Sequence, residues 1–190
     1  MYEIFVHTRL TCSTTAPPLT CDPASGDTAT LNIPVCARAN VCPLNGKTGL
    51  REANKSVLPC YWRPTSTSFT SLDAIICTDS EVIILQATVA KEHDVKVSGL
   101  DTIYASLPAG FHESRKWCLV FISSTEESAQ ALRDRKTIIH ERWEELAVYS
   151  GTFVIGQHTL SGSEKSFMAK VIVSCVPFPS LPLIRMIRKG

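Results

Sequence analysis

The chain has 190 residues, 44% of them apolar, which suffices for one domain with a proper core and is short for two. Nineteen basic residues against eighteen acidic ones leave a formal charge of +1, so no global electrostatic signature points to nucleic acid or a membrane; any phosphate-binding surface has to be local. Apolar runs such as 82–85, 117–122 and 171–173 fall far short of the roughly 18 to 20 residues that span a bilayer, and no basic leader precedes an apolar stretch, so a nuclear or cytoplasmic protein without a membrane span is expected.

Residues 1–56 are rich in Thr, Ser, Pro, Ala and Cys without a lasting period, and turn formers recur at Pro17-Pro18, Asp22-Pro23, Gly26-Asp27 and Asn45-Gly46. They read as an irregular or poorly ordered N-terminal segment, or at best as short strands. Within it, 28–35 alternates weakly and predicts an edge strand ending at Pro34, which cannot donate to a ladder. An α/β domain is expected over 57–176, followed by a basic tail over 177–190.

The texture changes at Leu58. Tyr61 and Trp62 precede Arg63-Pro64 and a Ser/Thr-rich turn; then 72–77 is a short apolar run interrupted by one carboxylate, Asp73. Thr78-Asp79-Ser80 closes that strand and predicts a hairpin. The next strand, 81–89, has the Val/Ile/Leu content of a strand buried on both faces, and Gln86 and Thr88 share one of them. Apolar residues at Leu100, Ile103, Tyr104 and Leu107 have helix spacing, and Pro108-Ala109-Gly110 stops that helix. A third apolar strand, 117–122, leads into Ser123-Ser124-Thr125-Glu126-Glu127, whose hydroxyls and early carboxylates suit a helix start; that helix is predicted to run to about Arg135. A short turn at 143–146, a strand within 147–155 and a last strand at 167–176 complete an α/β layout with a mixed sheet.

The eight cysteines are too sparse for a disulfide scaffold, and no pair shows the two-residue gap typical of zinc sites. Cys77, Cys118 and Cys175 lie in apolar strands, where a free cysteine behaves as a small buried hydrophobe. Trp62, Trp117 and Trp143 read as packing, and His7, His112, His140 and His158 have no partner pattern. Basic residues at Arg133, Arg135, Lys136 and Arg142, or in the tail at Arg185, Arg188 and Lys189, read first as solvated faces and second as phosphate contacts.

A carboxylate in a buried strand is costly unless it pairs, accepts hydrogen bonds or holds a metal. Asp73 therefore stands out, with Gln86 thirteen residues on, in the most apolar strand of the chain, at a separation that lets the two face each other across a hairpin. Asp73 also admits a structural reading, capping a turn or pairing with Arg63.

Five separate pieces, Tyr61-Trp62-Arg63-Pro64, Ser71-Leu72-Asp73-Ala74, Leu85-Gln86-Ala87-Thr88-Val89, His93-Asp94-Val95-Lys96 with Gly99-Leu100, and Trp117-Cys118-Leu119-Val120-Phe121, together resemble the C-terminal core of Crinkler and retrotransposon-hot-spot type proteins. The resemblance implies a restriction-endonuclease-like mixed sheet flanked by helices, of the PD-(D/E)xK superfamily. It also implies metal-dependent DNA hydrolysis, in which carboxylates hold Mg²⁺ and a lysine stabilises the developing charge. Asp73 matches the first acid, Gln86 takes the place of the second, and Thr88 stands where the lysine belongs. On this reading Asp73 and Gln86 are the metal ligands, Lys91 or Lys96 reaches back to supply the cation, and His93 is an accessory base or phosphate contact. The superfamily's helix carboxylate has only Glu52 as a candidate, and a poor one. The two functional expectations are a nuclease acting on nucleic acid and a catalytically inactive module of the same fold that binds a nucleic acid or protein partner.

Overall fold

The computed structural model describes residues 2–12, 17–24, 29–44, 46–53, 56–65, 72–91, 94–134, 143 and 146–154, all within the compact unit Met1–Ile155. Among them, eight strands form one mixed sheet in the order β2-β1-β8-β7-β6-β5-β4-β3. The strands are β1 (Leu19–Pro23), β2 (Leu31–Ile33), β3 (Val41–Leu44), β4 (Cys60–Pro64), β5 (Ala74–Cys77), β6 (Glu81–Thr88), β7 (Lys116–Ser123) and β8 (Ala147–Thr152). The helices are α1 (Tyr2–Cys12), α2 (Gly46–Arg51), α3 (Val97–Ser106) and α4 (Glu126–Asp134). None of the described helices is long and apolar enough to cross a membrane.

The α/β class read from the sequence is what the chain adopts. β4, β5 and β6 form an antiparallel meander, and α3 then carries the chain to β7, which runs parallel to β6. A second crossover through α4 places β8 parallel to β7. Both crossovers step in the same direction along the sheet, so right-handed connections put α3 and α4 on one face. β6 and β7 are buried along most of their length, as strands covered on both sides must be.

Alternation along β6 divides its side chains between two cores. Val82 and Ile84 pack with Leu50, Leu100, Ile103 and Leu132 of the helices on one face. Ile83 and Leu85 pack with Val6 and Leu10 of α1 on the other. Each such side chain contributes roughly 1.5–3 kcal/mol relative to full exposure. The α4 start is capped as its sequence predicts, with Thr125 Oγ1 accepting the Ser128 N–H at 3.2 Å and Glu126 and Glu127 in the first turn. Leu146 N–H donates to Trp143 O at 3.1 Å, in keeping with the short turn expected there.

Within the first 56 residues β1, β2 and β3 are short strands of 5, 3 and 4 residues, whereas the helices α1 and α2 were not anticipated. The weakly alternating edge strand is present as β2, ending just before Pro34. Helix α1 escapes detection by period because several of its polar residues are met within the fold rather than in solvent. Thr8 and Thr11 hydroxyls donate to the carbonyls of Ile4 and His7, and His7 itself is buried. The strand at 167–176 and the basic tail lie outside the described residues.

Candidate functional site

The candidate pair forms where β5 begins and β6 ends. Ala74 pairs with Leu85 in the ladder, so one further step of that register sets Asp73 opposite Gln86. At that point the ladder is finished by the side chain: Asp73 N–H donates to Leu85 O at 2.9 Å, and Asp73 Oδ2 accepts the Ala87 N–H at 2.6 Å. An oxygen of the carboxylate thus takes a backbone donor at the point where the strand pairing stops, and a charged acceptor makes the stronger kind of hydrogen bond. Asp73 is half-buried, whereas Gln86 is 1% exposed and shares its face of β6 with Ile84, beneath the helices.

Lys91 is exposed and its Nζ lies 2.6 Å from Glu127 Oε1 on α4, which holds the Glu127 carboxyl below its ordinary value. Lys96 is exposed at the residue preceding α3, where its backbone carbonyl accepts from Gly99 N–H. His93 lies outside the described residues. Thr88, in the position of the lysine, is half-buried, and its Oγ1 accepts the Ala90 N–H at 3.0 Å. Glu52 is exposed just beyond the six-residue α2.

Mg²⁺ is bound through one or two carboxylates and tolerates neutral ligands only beside them. Of the residues at the expected positions, Asp73 brings one carboxylate with a backbone hydrogen bond, Gln86 one amide and Thr88 one hydroxyl. Among the described residues, no three His, Cys, Asp or Glu side chains converge in a way that would hold a metal ion. The described donor set therefore does not fit Mg²⁺.

Other polar side chains lie on the same face of the sheet. Thr88 pairs with Ser123, and Phe121 pairs with both Gln86 and Ser150, so Gln86, Thr88, Ser123 and Ser150 line the carboxyl ends of β6, β7 and β8. The Ser123 and Ser150 hydroxyls are fully buried without a hydrogen-bond partner among the described residues. The sequence offered no sign of this for Ser150, a small residue inside an expected strand, and Ser123 was read only as part of a helix cap.

On the opposite face a second cluster corrects the reading of His7 as partnerless. His7 Nδ1 meets the Tyr61 hydroxyl, and Nε2 lies 2.9 Å from Glu3 Oε1. The hydrogen bond from His7 holds the Glu3 carboxyl below its usual range, and burial pushes the Tyr61 phenol well above its own. The i, i+4 spacing of Glu3 and His7 was the available signal. The tryptophans pack as expected: Trp117 Nε1–H donates to Phe111 O and Trp143 Nε1–H to Asp101 Oδ1, each at 3.1 Å, and the two indoles and the Tyr104 ring contact one another.

Comparison of the chain with known protein families, with curated proteins and with solved structures finds no match.

Proposed function

We propose that this chain is a restriction-endonuclease-like domain, of the kind the Crinkler resemblance implies, that acts as a non-catalytic interaction module. The β4-β5-β6-α3-β7 order, with Asp73 at the start of β5 and Gln86 opposite it, supports the nuclease-type ancestry. The observation that carries the non-catalytic reading is the hydrogen bond from Ala87 N–H to Asp73 Oδ2. The surviving acid serves the backbone, its neighbour is an uncharged amide, and Lys91 is engaged by Glu127. Hydrolysis of a phosphodiester needs charge where it develops in the transition state, and Gln86 and Thr88 bring none.

The second reading, metal-dependent DNA hydrolysis, rests on the same placement of Asp73 and Gln86, with Lys91, Lys96 or His93 supplying positive charge. The two readings separate in one assay. Purified protein is incubated with plasmid and single-stranded DNA in Mg²⁺ or Mn²⁺, beside an EDTA control and Asp73→Ala, while fluorescence anisotropy follows binding to the same single-stranded DNA. The interaction module gives no metal-dependent cleavage from folded protein, with or without DNA binding. Cleavage that requires metal and disappears in Asp73→Ala would overturn it.

A further inference from the structure

We propose that Cys60 and Cys77 are an oxidisable cross-strand pair, in which a hydroperoxide converts two buried thiols into a disulfide joining β4 to β5. The two residues are direct partners in the antiparallel ladder. Directly opposed residues of antiparallel strands have Cα atoms about 4.5–5.5 Å apart, inside the roughly 4.4–6.8 Å that disulfides bridge. Partners in register also point to the same face, and both side chains belong to the core cluster beneath the helices. The remaining buried cysteines of the described residues, Cys21, Cys36 and Cys118, belong to the cluster on the other face.

Electrostatics favour a reactive thiol here. The two side chains hydrogen-bond to each other, which holds the Cys60 thiol below its ordinary value and raises that of Cys77, as expected when Cys77 S–H donates to a Cys60 thiolate. The Arg115 guanidinium, fixed by the carbonyls of Thr78 and Gly110 and stacked over Phe111, adds positive charge that favours both thiolates.

The reaction balances without a further reagent. The Cys60 thiolate attacks one peroxide oxygen; the S–O bond forms, the O–O bond breaks, and the leaving oxygen takes up a proton. Cys77 sulfur then attacks the sulfenic sulfur, the S–S bond forms, and water leaves with the Cys77 proton. Two thiols and one hydroperoxide give one disulfide, one water and one alcohol, or two waters from hydrogen peroxide.

Both cysteines are fully buried, so hydrogen peroxide, close to water in size, is the probe. The folded, reduced full chain is exposed to it, denatured, alkylated with a maleimide and digested with trypsin. The peptide 56–91 carries both cysteines and no others, because Arg63 precedes Pro64 and resists cleavage. The expected result is loss of both maleimide labels from this peptide with a mass lower by two hydrogens, reversed by dithiothreitol and accompanied by a higher melting temperature. In Cys77→Ser, a dimedone adduct on Cys60 should replace the disulfide. The proposal is overturned if Cys60 and Cys77 stay alkylatable while the half-buried Cys12 or Cys42 oxidise, if Cys60 joins another cysteine, or if the pair links only in unfolded protein. The wild-type measurement stands whether or not the variant folds.

Discussion

Replacing Gln86 by Glu restores the second carboxylate of the resembled active site and tests whether this position can hold charge. Gln86 is 1% exposed, sits between Leu85 and Ala87 in a central strand, and lies one ladder step from the pairing of Ala74 with Leu85, opposite Asp73. Burial and a facing carboxylate both disfavour ionisation, so the introduced carboxyl should titrate about 3 units above its unfolded value of about 4.3. At about 1.36 kcal/mol per unit, that is a loss of roughly 4 kcal/mol. The sign follows from proton linkage. Below about pH 4 both states hold the proton and the penalty is absent; as pH rises, the unfolded chain releases it first, so stability falls until the folded carboxyl also ionises near about pH 7. Urea denaturation of wild type and Gln86→Glu should give similar midpoints at acid pH. At pH above about 7.5, with a slope of about 2 kcal/mol per molar, the variant should unfold about 2 M earlier. A variant as stable as wild type at the higher pH, or one whose midpoint Mg²⁺ restores, would refute the reasoning and revive the metal site.

Other outcomes follow from the packing and the ion pairs. A Cβ on Gly151 would stand 2.7 Å from Cys21 Sγ and 3.1 Å from Thr20 O, so Gly151→Ala should cost roughly 1–3 kcal/mol in chemical denaturation, part of it recovered by adding Cys21→Ala. Tyr61→Phe removes the hydroxyl that meets buried His7 Nδ1 and should cost roughly 1–3 kcal/mol by the same measurement. Glu3 ionises below its ordinary value of 4.5, so its contribution is complete above that pH and is lost as the pH falls further; Glu3→Gln should flatten the acid limb of the stability curve by less than about 1 kcal/mol, because the carboxylate is 46% exposed. Lys91→Ala breaks an ion pair whose side chains are 59% and 76% exposed, so its melting temperature should match that of wild type.

The amino-acid sequence by itself determined the run from β5 to β8, because each element there carries a local signature. Thr78-Asp79-Ser80 turns the hairpin, the Leu100, Ile103 and Leu107 spacing makes α3, and Thr125 with two carboxylates starts α4. The meeting of Asp73 with Gln86 was also legible, since hairpin register is set by a short turn. What only the tertiary structure decided depends on partners far along the chain. Helix α1 is held by Val6 and Leu10 packing on β-strand side chains, and His7 finds Tyr61 across 54 residues. Lys91 finds Glu127 across 36 residues, which no local pattern encodes, and that pairing places its charge on α4. Cys77 read as a small buried hydrophobe in an apolar strand until the ladder set it face to face with Cys60. Local propensity specifies elements, whereas register and packing between distant segments specify which side chains share a site.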